Sequence, residues 1–131
     1  MATAQDRLQN LARNYALAWS SGNPDYVASF FAPGGKITIY RSESLVGQAA
    51  VAEVAKGFFT EFPDLDMSCD MMRKAGDHAI FAWTLEGTHA ETGNRVIIRG
   101  WEEWEMDAEL RIRSAHIWFD PDDHQRQIEG R

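Results

Sequence analysis

The run RVIIRGWEEWEM at residues 95–106 is the sequence feature that most constrains this chain. Its residues alternate in character, as they do in a β-strand whose neighbouring side chains point to opposite faces. One face is mostly charged, and the other consists of Val96, Ile98, Gly100, Glu102, Trp104 and Met106. Glu102 is the only ionisable group on that second face. A carboxylate rarely lies among apolar side chains unless it has a partner or a shifted pKa.

Glu102 therefore has two interpretations. In the first, it lies at a strand end, bends toward solvent or pairs with an arginine. In the second, it is a carboxyl in the wall of an apolar pocket, where burial raises its pKa by disfavouring the charged form. The residues that the rest of the chain places around this strand face decide between the two.

Length and composition fit a single domain over residues 1–131. A chain of 131 residues with 44% hydrophobic residues can bury one core and is too short for two ordinary domains. A net charge of −7 argues against nucleic acid or an anionic membrane as a partner, since both attract a basic surface. The chain has no apolar run as long as a membrane span and no signal-peptide core, so we expect a cytoplasmic location.

The sequence predicts neither a metal site nor a cofactor. None of the four histidines is spaced from another histidine, a cysteine or a carboxylate as metal ligands are, and phosphate-loop and dinucleotide motifs are missing. Cys69 is the only cysteine, so an internal disulfide is impossible and packing is its expected role. His78 and His124 are expected in solvent. The last four residues, IEGR, match a protease site used to remove tags and are given no functional weight.

The predicted elements follow the order ααβαββββ, with a short C-terminal helix after Asp120. Apolar spacings of three and four predict helices at 3–21 and 48–61, and the caps Asn23 and Pro24 predict a short helix over 25–31 that the PGG at 33–35 ends. Alternation predicts strands at 36–41, 66–74, 78–89, 95–106 and 110–119. This order indicates an α+β fold with a mostly antiparallel sheet and the helices on one side.

A hairpin between 78–89 and 95–106 tests which residues share a face. With Thr92-Gly93 as the two turn residues, Trp83 lies opposite Glu102 and His89 lies opposite Val96. His89 is then about 20 Å along the strand from Glu102, at roughly 3.3 Å per residue, and the two are not expected to form a catalytic pair.

Several segments resemble the nuclear transport factor 2-like superfamily, and within it the SnoaL-like polyketide cyclases. They are LARNYALAWSSGN followed by a short helix and a strand, GDHAIFAWTLEGTH, and WFDP at the end of the last strand. The resemblance covers nearly the whole chain. It implies a cone-shaped, curved sheet wrapped around helices, an internal apolar pocket, and a homodimer joined through the outer face of the sheet.

The ketosteroid isomerase branch of this superfamily implies roles for two residues. Its oxyanion-hole tyrosine lies seven residues before the glycine that ends the first helix, as Tyr15 does before Gly22. Its oxyanion-hole aspartate lies ten residues before the last strand opens, as Glu102 does before Ile112, and SnoaL-like cyclases place an acid/base aspartate near the same position. The aspartate base of the isomerases has no counterpart here.

The candidate catalytic residues are therefore Glu102 and Tyr15. A phenol and a protonated carboxyl in a dry pocket can donate to one oxygen and stabilise an enolate, or an ionised Glu102 can remove a proton next to a carbonyl. Core packing is the alternative role for Tyr15 and for each tryptophan. The residues expected to contact the ligand are Trp19, Tyr40, Trp83, Trp104, Phe58 and His116. Alternation places His116 on the outer face of the sheet, at a subunit interface with Trp101; a bulge that reversed the alternation would bring it into the pocket as a base.

The expected function is the binding of a small aromatic or polycyclic organic molecule, with no cofactor. As an enzyme, the protein would catalyse acid/base chemistry at a carbonyl: isomerisation, cyclisation or dehydration. The alternative is a binding or dimerisation module without catalysis. This alternative stays open because Ile39 and Tyr40 occupy the positions where the isomerases have their aspartate base. A limonene-type epoxide hydrolase of the same fold needs two carboxylates and an arginine inside, and Arg99 lies on the opposite strand face from Glu102.

Overall fold

The computed structural model describes residues 2–131 and has an α+β architecture, as predicted. Its helices and strands are α1 (Ala4–Trp19), α2 (Pro24–Ala28), β1 (Phe31–Ile39), β2 (Leu45–Val46), α3 (Gln48–Glu61), β3 (Asp66–Ala75), β4 (His78–Thr88), β5 (Arg95–Met106), β6 (Ile112–Trp118) and α4 (Pro121–Ile128). The six strands form one curved sheet in the order β2-β1-β6-β5-β4-β3. All neighbours are antiparallel except β1 and β6, so the sheet is mixed.

Three of the helices begin with a side chain that caps their first turn. The Thr3 hydroxyl accepts from the Asp6 amide while the Asp6 carboxylate accepts from the Thr3 amide, a capping box that starts α1. The side chains of Asn23 and Asp120 accept from backbone amides at the start of α2 and α4, and each is followed by a proline at the first helical position. Within residues 2–131, no helix is both long and apolar enough to cross a membrane.

The hairpin between β4 and β5 differs from its predicted register by two residues. Phe81, and not Trp83, lies opposite Glu102, while Trp83 lies opposite Gly100. The reason is a longer turn, in which the His89 amide bonds to the Asn94 carbonyl and the Gly93 amide returns to the His89 carbonyl. Because a shift of two preserves the alternation of faces, Trp83 still shares the inner face with Glu102 and Trp104.

Bulges account for the other departures from the sequence pattern. The PGG at 33–35 does not end an element but lies within β1, whose pairing with β6 shifts register between Phe31 and Lys36. A Cβ on Gly35 would lie 2.7 Å from the Ile112 carbonyl oxygen, so only glycine fits this close approach. In β3 a shift between Cys69 and Met71 exposes Met71, which the alternation predicts to be buried.

Candidate functional site

Glu102 lies on the concave face of the sheet, in the middle of β5. Its neighbours in register are Phe81 on β4 and Ile117 on β6, and only 1% of its surface is exposed. No arginine or lysine among residues 2–131 pairs with it. Glu102 is therefore a buried carboxyl without a cationic partner, which excludes the strand-end and ion-pair interpretations.

Two donors fix one oxygen of this carboxyl. The Tyr15 hydroxyl, from the middle of α1, donates to Oε1 at 2.8 Å, and the Trp104 indole Nε1 donates to the same atom at 3.0 Å. Tyr15 is itself fully buried and packs edge-on against Phe81 and Trp104. With Oε1 occupied by two donors, a proton on the neutral carboxyl belongs on Oε2, and Oε2 is the oxygen left for a ligand.

Burial dominates the electrostatics of the pair. It raises the pKa of Glu102 to about 7 by disfavouring the carboxylate, although the hydrogen bonds from Trp104 and Tyr15 act in the opposite direction. Burial also raises the pKa of Tyr15 well above its ordinary value, and the negative charge of Glu102 adds to this effect. Around neutral pH, Tyr15 is thus a neutral donor, and Glu102 exists in both protonated and ionised forms.

Glu102 forms part of the wall of an apolar cavity between the sheet and the helices. The cavity and its open mouth together occupy about 420 Å³. The space between its walls is narrow and has room for little more than a water molecule. Three of its lining residues, Phe58, Phe119 and His124, are half-buried and form the mouth. The full lining is Trp19, Phe58, Phe62, Met67, Trp83, Leu85, Ile98, Glu102, Ile117, Phe119 and His124. A ring-sized ligand therefore requires the mouth side chains to turn.

The predicted site residues fall into two groups around Glu102. Trp19, Phe58 and Trp83 line the cavity with it. Tyr15 and Trp104 lie behind the carboxyl, in the core, and are not part of the cavity surface. Tyr15 was expected to donate to the ligand beside Glu102. Its hydroxyl instead donates to Glu102 Oε1, so Tyr15 is placed to orient Glu102.

Tyr40 and His116 do not reach the cavity, in contrast to the expectation that both contact a ligand. Tyr40 has a left-handed backbone (φ 51°), which turns its ring off the strand and against Trp118 and Phe119. His116 lies on the outer face opposite Glu103, stacks on Trp118 at 4.0 Å, and donates from Nε2 to the Tyr40 carbonyl oxygen at 2.6 Å. A bulge does interrupt β6, but it falls at Arg113 and leaves the alternation at His116 unchanged.

His124 is the titratable cavity residue that sequence reasoning missed, since its acidic surroundings suggested solvent. Its ring packs against Phe62 and Phe119, with centroid distances of 5.9 and 5.6 Å. The signal that could have found it is the sequence Asp120-Pro121, which starts a helix just after β6 and so carries His124 back over the open end of the sheet. The other two histidines lie elsewhere: His78 is exposed beside Glu105, and His89 pairs with Glu61.

Three nitrogen atoms of cavity residues lack partners. Trp19 Nε1, Trp83 Nε1 and His124 Nε2 are shielded from solvent and have no hydrogen-bond partner among residues 2–131. All three residues line the cavity with Glu102, and the Trp19 side chain also lowers the pKa of the Tyr15 hydroxyl, against the effect of burial. Over the same residues, no three His, Cys, Asp or Glu side chains group closely enough to hold a metal ion.

Comparison with known proteins identifies the family. The sequence profile of the SnoaL-like domain matches residues 12–115, most of the chain. The chain belongs to the SnoaL-like family. No curated protein matches it.

Solved structures share the SnoaL-like fold at low identity. A protein of Catenulispora acidiphila with a ketosteroid isomerase-like fold, in complex with trimethylamine, has a TM-score of 0.83 at 15% identity and covers 91% of this chain and 92% of its own. A putative SnoaL-like polyketide cyclase from Jannaschia has a TM-score of 0.80 at 12% identity, with 99% of each chain covered. An epoxide hydrolase/cyclase-like enzyme of pyran ring formation in the polyether salinomycin has a TM-score of 0.79 at 17% identity, covering 92% and 95%. At these identities the likeness establishes the fold alone.

Proposed function

We propose that this SnoaL-like protein binds a small organic carbonyl compound in its cavity and acts on it by cofactor-free acid/base chemistry, with Glu102 as the proton-transfer group. The reaction class is isomerisation, cyclisation or dehydration next to the carbonyl. The observation that carries the proposal is a buried carboxyl in the wall of an apolar cavity, with one oxygen held by Tyr15 and Trp104 and the other free.

Three properties of Glu102 support an acid/base role. A general acid or base works best when its pKa is near the working pH, and burial brings that of Glu102 to about 7. Its orientation is fixed by two hydrogen bonds from rigid core residues, so little reorganisation is needed during reaction. The apolar lining excludes water, which strengthens electrostatic interactions inside the cavity.

The solved relatives support a small organic ligand. They include a complex with trimethylamine, a crystal grown with polyporic acid, and a cyclase-like enzyme of pyran ring formation. These ligands and reactions belong to the relatives. For this chain they support the class of ligand that the apolar, aromatic lining already favours.

Non-catalytic binding is the second candidate function, and the narrowness of the cavity favours it. A hollow with room for little more than a water molecule between its walls must open before a substrate enters. In that case Glu102 would be a hydrogen-bonding group for a bound ligand, and no proton would move.

We further propose a homodimer joined through the outer face of the sheet. Met71, Ala82, Trp101 and Trp118 lie in register across strands β3, β4, β5 and β6 and form an apolar row on that face. Trp101 is 45% exposed and Met71 is 39% exposed. Contiguous exposed apolar side chains of this kind are typical of protein interfaces.

Hydrogen–deuterium exchange of bound ketones tests the acid/base proposal. In deuterated water, the protein is expected to accelerate exchange of protons next to the carbonyl in a panel of ring ketones, as followed by NMR. Glu102→Gln keeps the shape and an acceptor for Tyr15 but cannot take a proton, so it should slow exchange by about 100-fold or more.

Glu103→Gln is the matched control, because Glu103 is the next residue of β5 and points to the outer face. Exchange by Glu102→Gln at the rate of the parent protein would refute the acid/base role. A ketone that binds in the cavity without faster exchange would instead support the binding module.

A further inference from the structure

The cavity contains more polar groups than Glu102 can account for. Trp19 Nε1 and Trp83 Nε1 are obligate donors, and both are buried without an acceptor among residues 2–131. Buried donors in folded proteins are nearly always paired, and an unpaired one needs an explanation. Both indoles line the same cavity as Glu102, so a ligand with oxygen acceptors is what would satisfy them.

His124 is held at this cavity by the docking of α4. Gln127 bonds to both the amide and the carbonyl of Ile97 on β5, at 2.7 and 2.9 Å, and the Asn94 side chain donates to the Ile128 carbonyl at 2.8 Å. The ring of His124 is fixed by aromatic contacts, and its shielded nitrogen Nε2 bonds to no residue in 2–131. The helix therefore places at the cavity an imidazole whose Nε2 bonds to no other described residue.

We propose that His124 is the second proton-transfer group of the cavity, and that the ligand is a flat ring ketone with a further oxygen substituent held by the indole N–H groups of Trp19 and Trp83. The proposal rests on the acid/base function of Glu102 and adds its partner and the ligand class. It also supplies the base that the sequence lacks at Ile39 and Tyr40, from a different part of the fold.

The surroundings set the roles of the two groups. The charged and titratable groups that act on His124 are Glu61 at the end of α3, His89 after β4 and Asp123 on its own helix, while Glu102 lines the same cavity. Burial lowers the pKa of His124 and is the largest effect. The carboxylates of Glu61 and Asp123 act to raise this pKa, and His89 acts to lower it further. Burial raises the pKa of Glu102 to about 7. Burial thus favours the neutral imidazole of His124 and the neutral carboxyl of Glu102, so His124 is the base and Glu102 the acid.

The proton transfers balance without a further reactant. His124 Nε2 takes a proton from the carbon next to the carbonyl, and the electron pair of that C–H bond forms the C=C bond of an enol. The carbonyl oxygen, which gains the π electrons, takes the proton from Glu102 Oε2. The enol then returns its hydroxyl proton to Glu102 and receives the proton of the imidazolium at the same carbon, which leaves both side chains as they began. A ketone with a β,γ double bond gives a dienol instead, and it receives the proton at the γ-carbon, which moves the double bond into conjugation with the carbonyl.

Protein NMR tests the placement of His124 without any ligand. The ring nitrogens of His124 should titrate below the ordinary histidine pKa while the carboxyl of Glu102 titrates above that of glutamate. A titration of His124 at or above the ordinary histidine pKa would place Nε2 in water and overturn the proposal.

The ligand class and the role of His124 are tested with hydroxytetralone, which has an enolisable ketone and a phenolic oxygen on two fused rings. Its binding should shift the indole Nε1–H resonances of Trp19 and Trp83 and the ring resonances of His124. His124→Gln should bind it within about threefold of the parent protein yet slow its proton exchange by about 100-fold or more, and should lose the low-pH limb of the rate profile. His78→Gln is the matched control.

The outcomes separate the two proposals. If Glu102→Gln abolishes exchange but His124→Gln retains both the rate and the low-pH limb, His124 is not the base and the proposed function stands. If Glu102→Gln exchanges as the parent does, the proposed function fails whatever His124 does. No shift in any of the three nitrogen resonances with hydroxytetralone would overturn the ligand class.

Discussion

At the scale of single residues, the properties of the site come from a carboxyl that is buried without a cation. Tyr15 and Trp104 each donate to Glu102 Oε1, yet burial outweighs both hydrogen bonds and the pKa rises to about 7. The same burial that makes Glu102 useful for proton transfer therefore destabilises the native protein wherever the carboxyl must ionise.

Glu102→Gln is expected to flatten the dependence of stability on pH. Between the ordinary glutamate pKa of 4.5 and about 7, the native protein binds more protons than the unfolded chain, so the parent loses stability as pH rises through this window. A shift of this size corresponds to about 3 kcal/mol in the free energy of unfolding. Urea titrations from about pH 4 to about pH 8 measure the difference between variant and parent. As the pH rises, the free energy of unfolding of Glu102→Gln should increase relative to that of the parent, whereas that of Glu103→Gln should follow the parent. A difference that stays constant with pH would be evidence against a raised pKa of Glu102.

Tyr15→Phe is expected to raise the pKa of Glu102 above about 7. The variant keeps the ring that fills the core but removes one of the two donors that stabilise the carboxylate. The loss of this buried hydrogen bond should also cost about 1–2 kcal/mol of stability. Carboxyl NMR measures the pKa, and Tyr26→Phe, at a half-exposed ring on α2, is the control. A lower pKa in Tyr15→Phe would show that the hydroxyl does not donate to Glu102.

At the scale of elements, alternation along β5 predicts the inward direction of Glu102, but register and bulges are not legible in the sequence. The turn between β4 and β5 is set by hydrogen bonds among His89, Gly93 and Asn94, so the residue opposite Glu102 depends on turn geometry. His124 was missed for a related reason. The sequence predicts a helix after the last strand, but it does not show that this helix docks on β5 through Gln127 and so places His124 at the cavity.

Gly100 shows how one strand makes room for a cavity residue. A Cβ there would lie 2.6 Å from the ring of Trp83, opposite it on β4, and 2.3 Å from the Trp118 carbonyl oxygen. Gly100→Ala is therefore expected to cost more than about 2 kcal/mol and to displace the Trp83 indole from the cavity.

Gly57→Ala is the matched control, because a Cβ at Gly57 on α3 meets nothing within 4 Å. It should stabilise the protein by about 0.5–1 kcal/mol through its helical preference. Thermal unfolding and the Trp83 indole resonance measure both variants. Equal effects of the two substitutions would contradict the packing described at Gly100.

At the scale of the whole molecule, the curved sheet has two distinct faces. Its concave side holds the cavity and α1, and its outer side carries the apolar row of Met71, Ala82, Trp101 and Trp118. The α+β class and nine of the ten elements, all except the two-residue strand β2, follow from periodicity and caps alone. The parallel pairing of β1 with β6 does not, because it joins segments more than 70 residues apart, and only the folded sheet shows which strands are neighbours.

Trp101→Glu is expected to convert the proposed dimer to a monomer without changing the fold. A carboxylate in the centre of the apolar row would be buried without a partner in the interface. Sedimentation equilibrium measures the mass, and Glu91→Gln, in the turn between β4 and β5, is the control. A parent protein that sediments as a monomer would refute the proposed interface, and circular dichroism checks that the variant remains folded.

The most direct test of a buried Glu102 is the titration of its carboxyl carbon by NMR, assigned by the loss of that resonance in Glu102→Gln. The expected midpoint is near pH 7, well above the ordinary glutamate value of 4.5, because the carboxyl is buried and has no cation beside it. A midpoint at or below 4.5 would place the side chain in water or against a cation, and would contradict both the buried site and the function proposed for it.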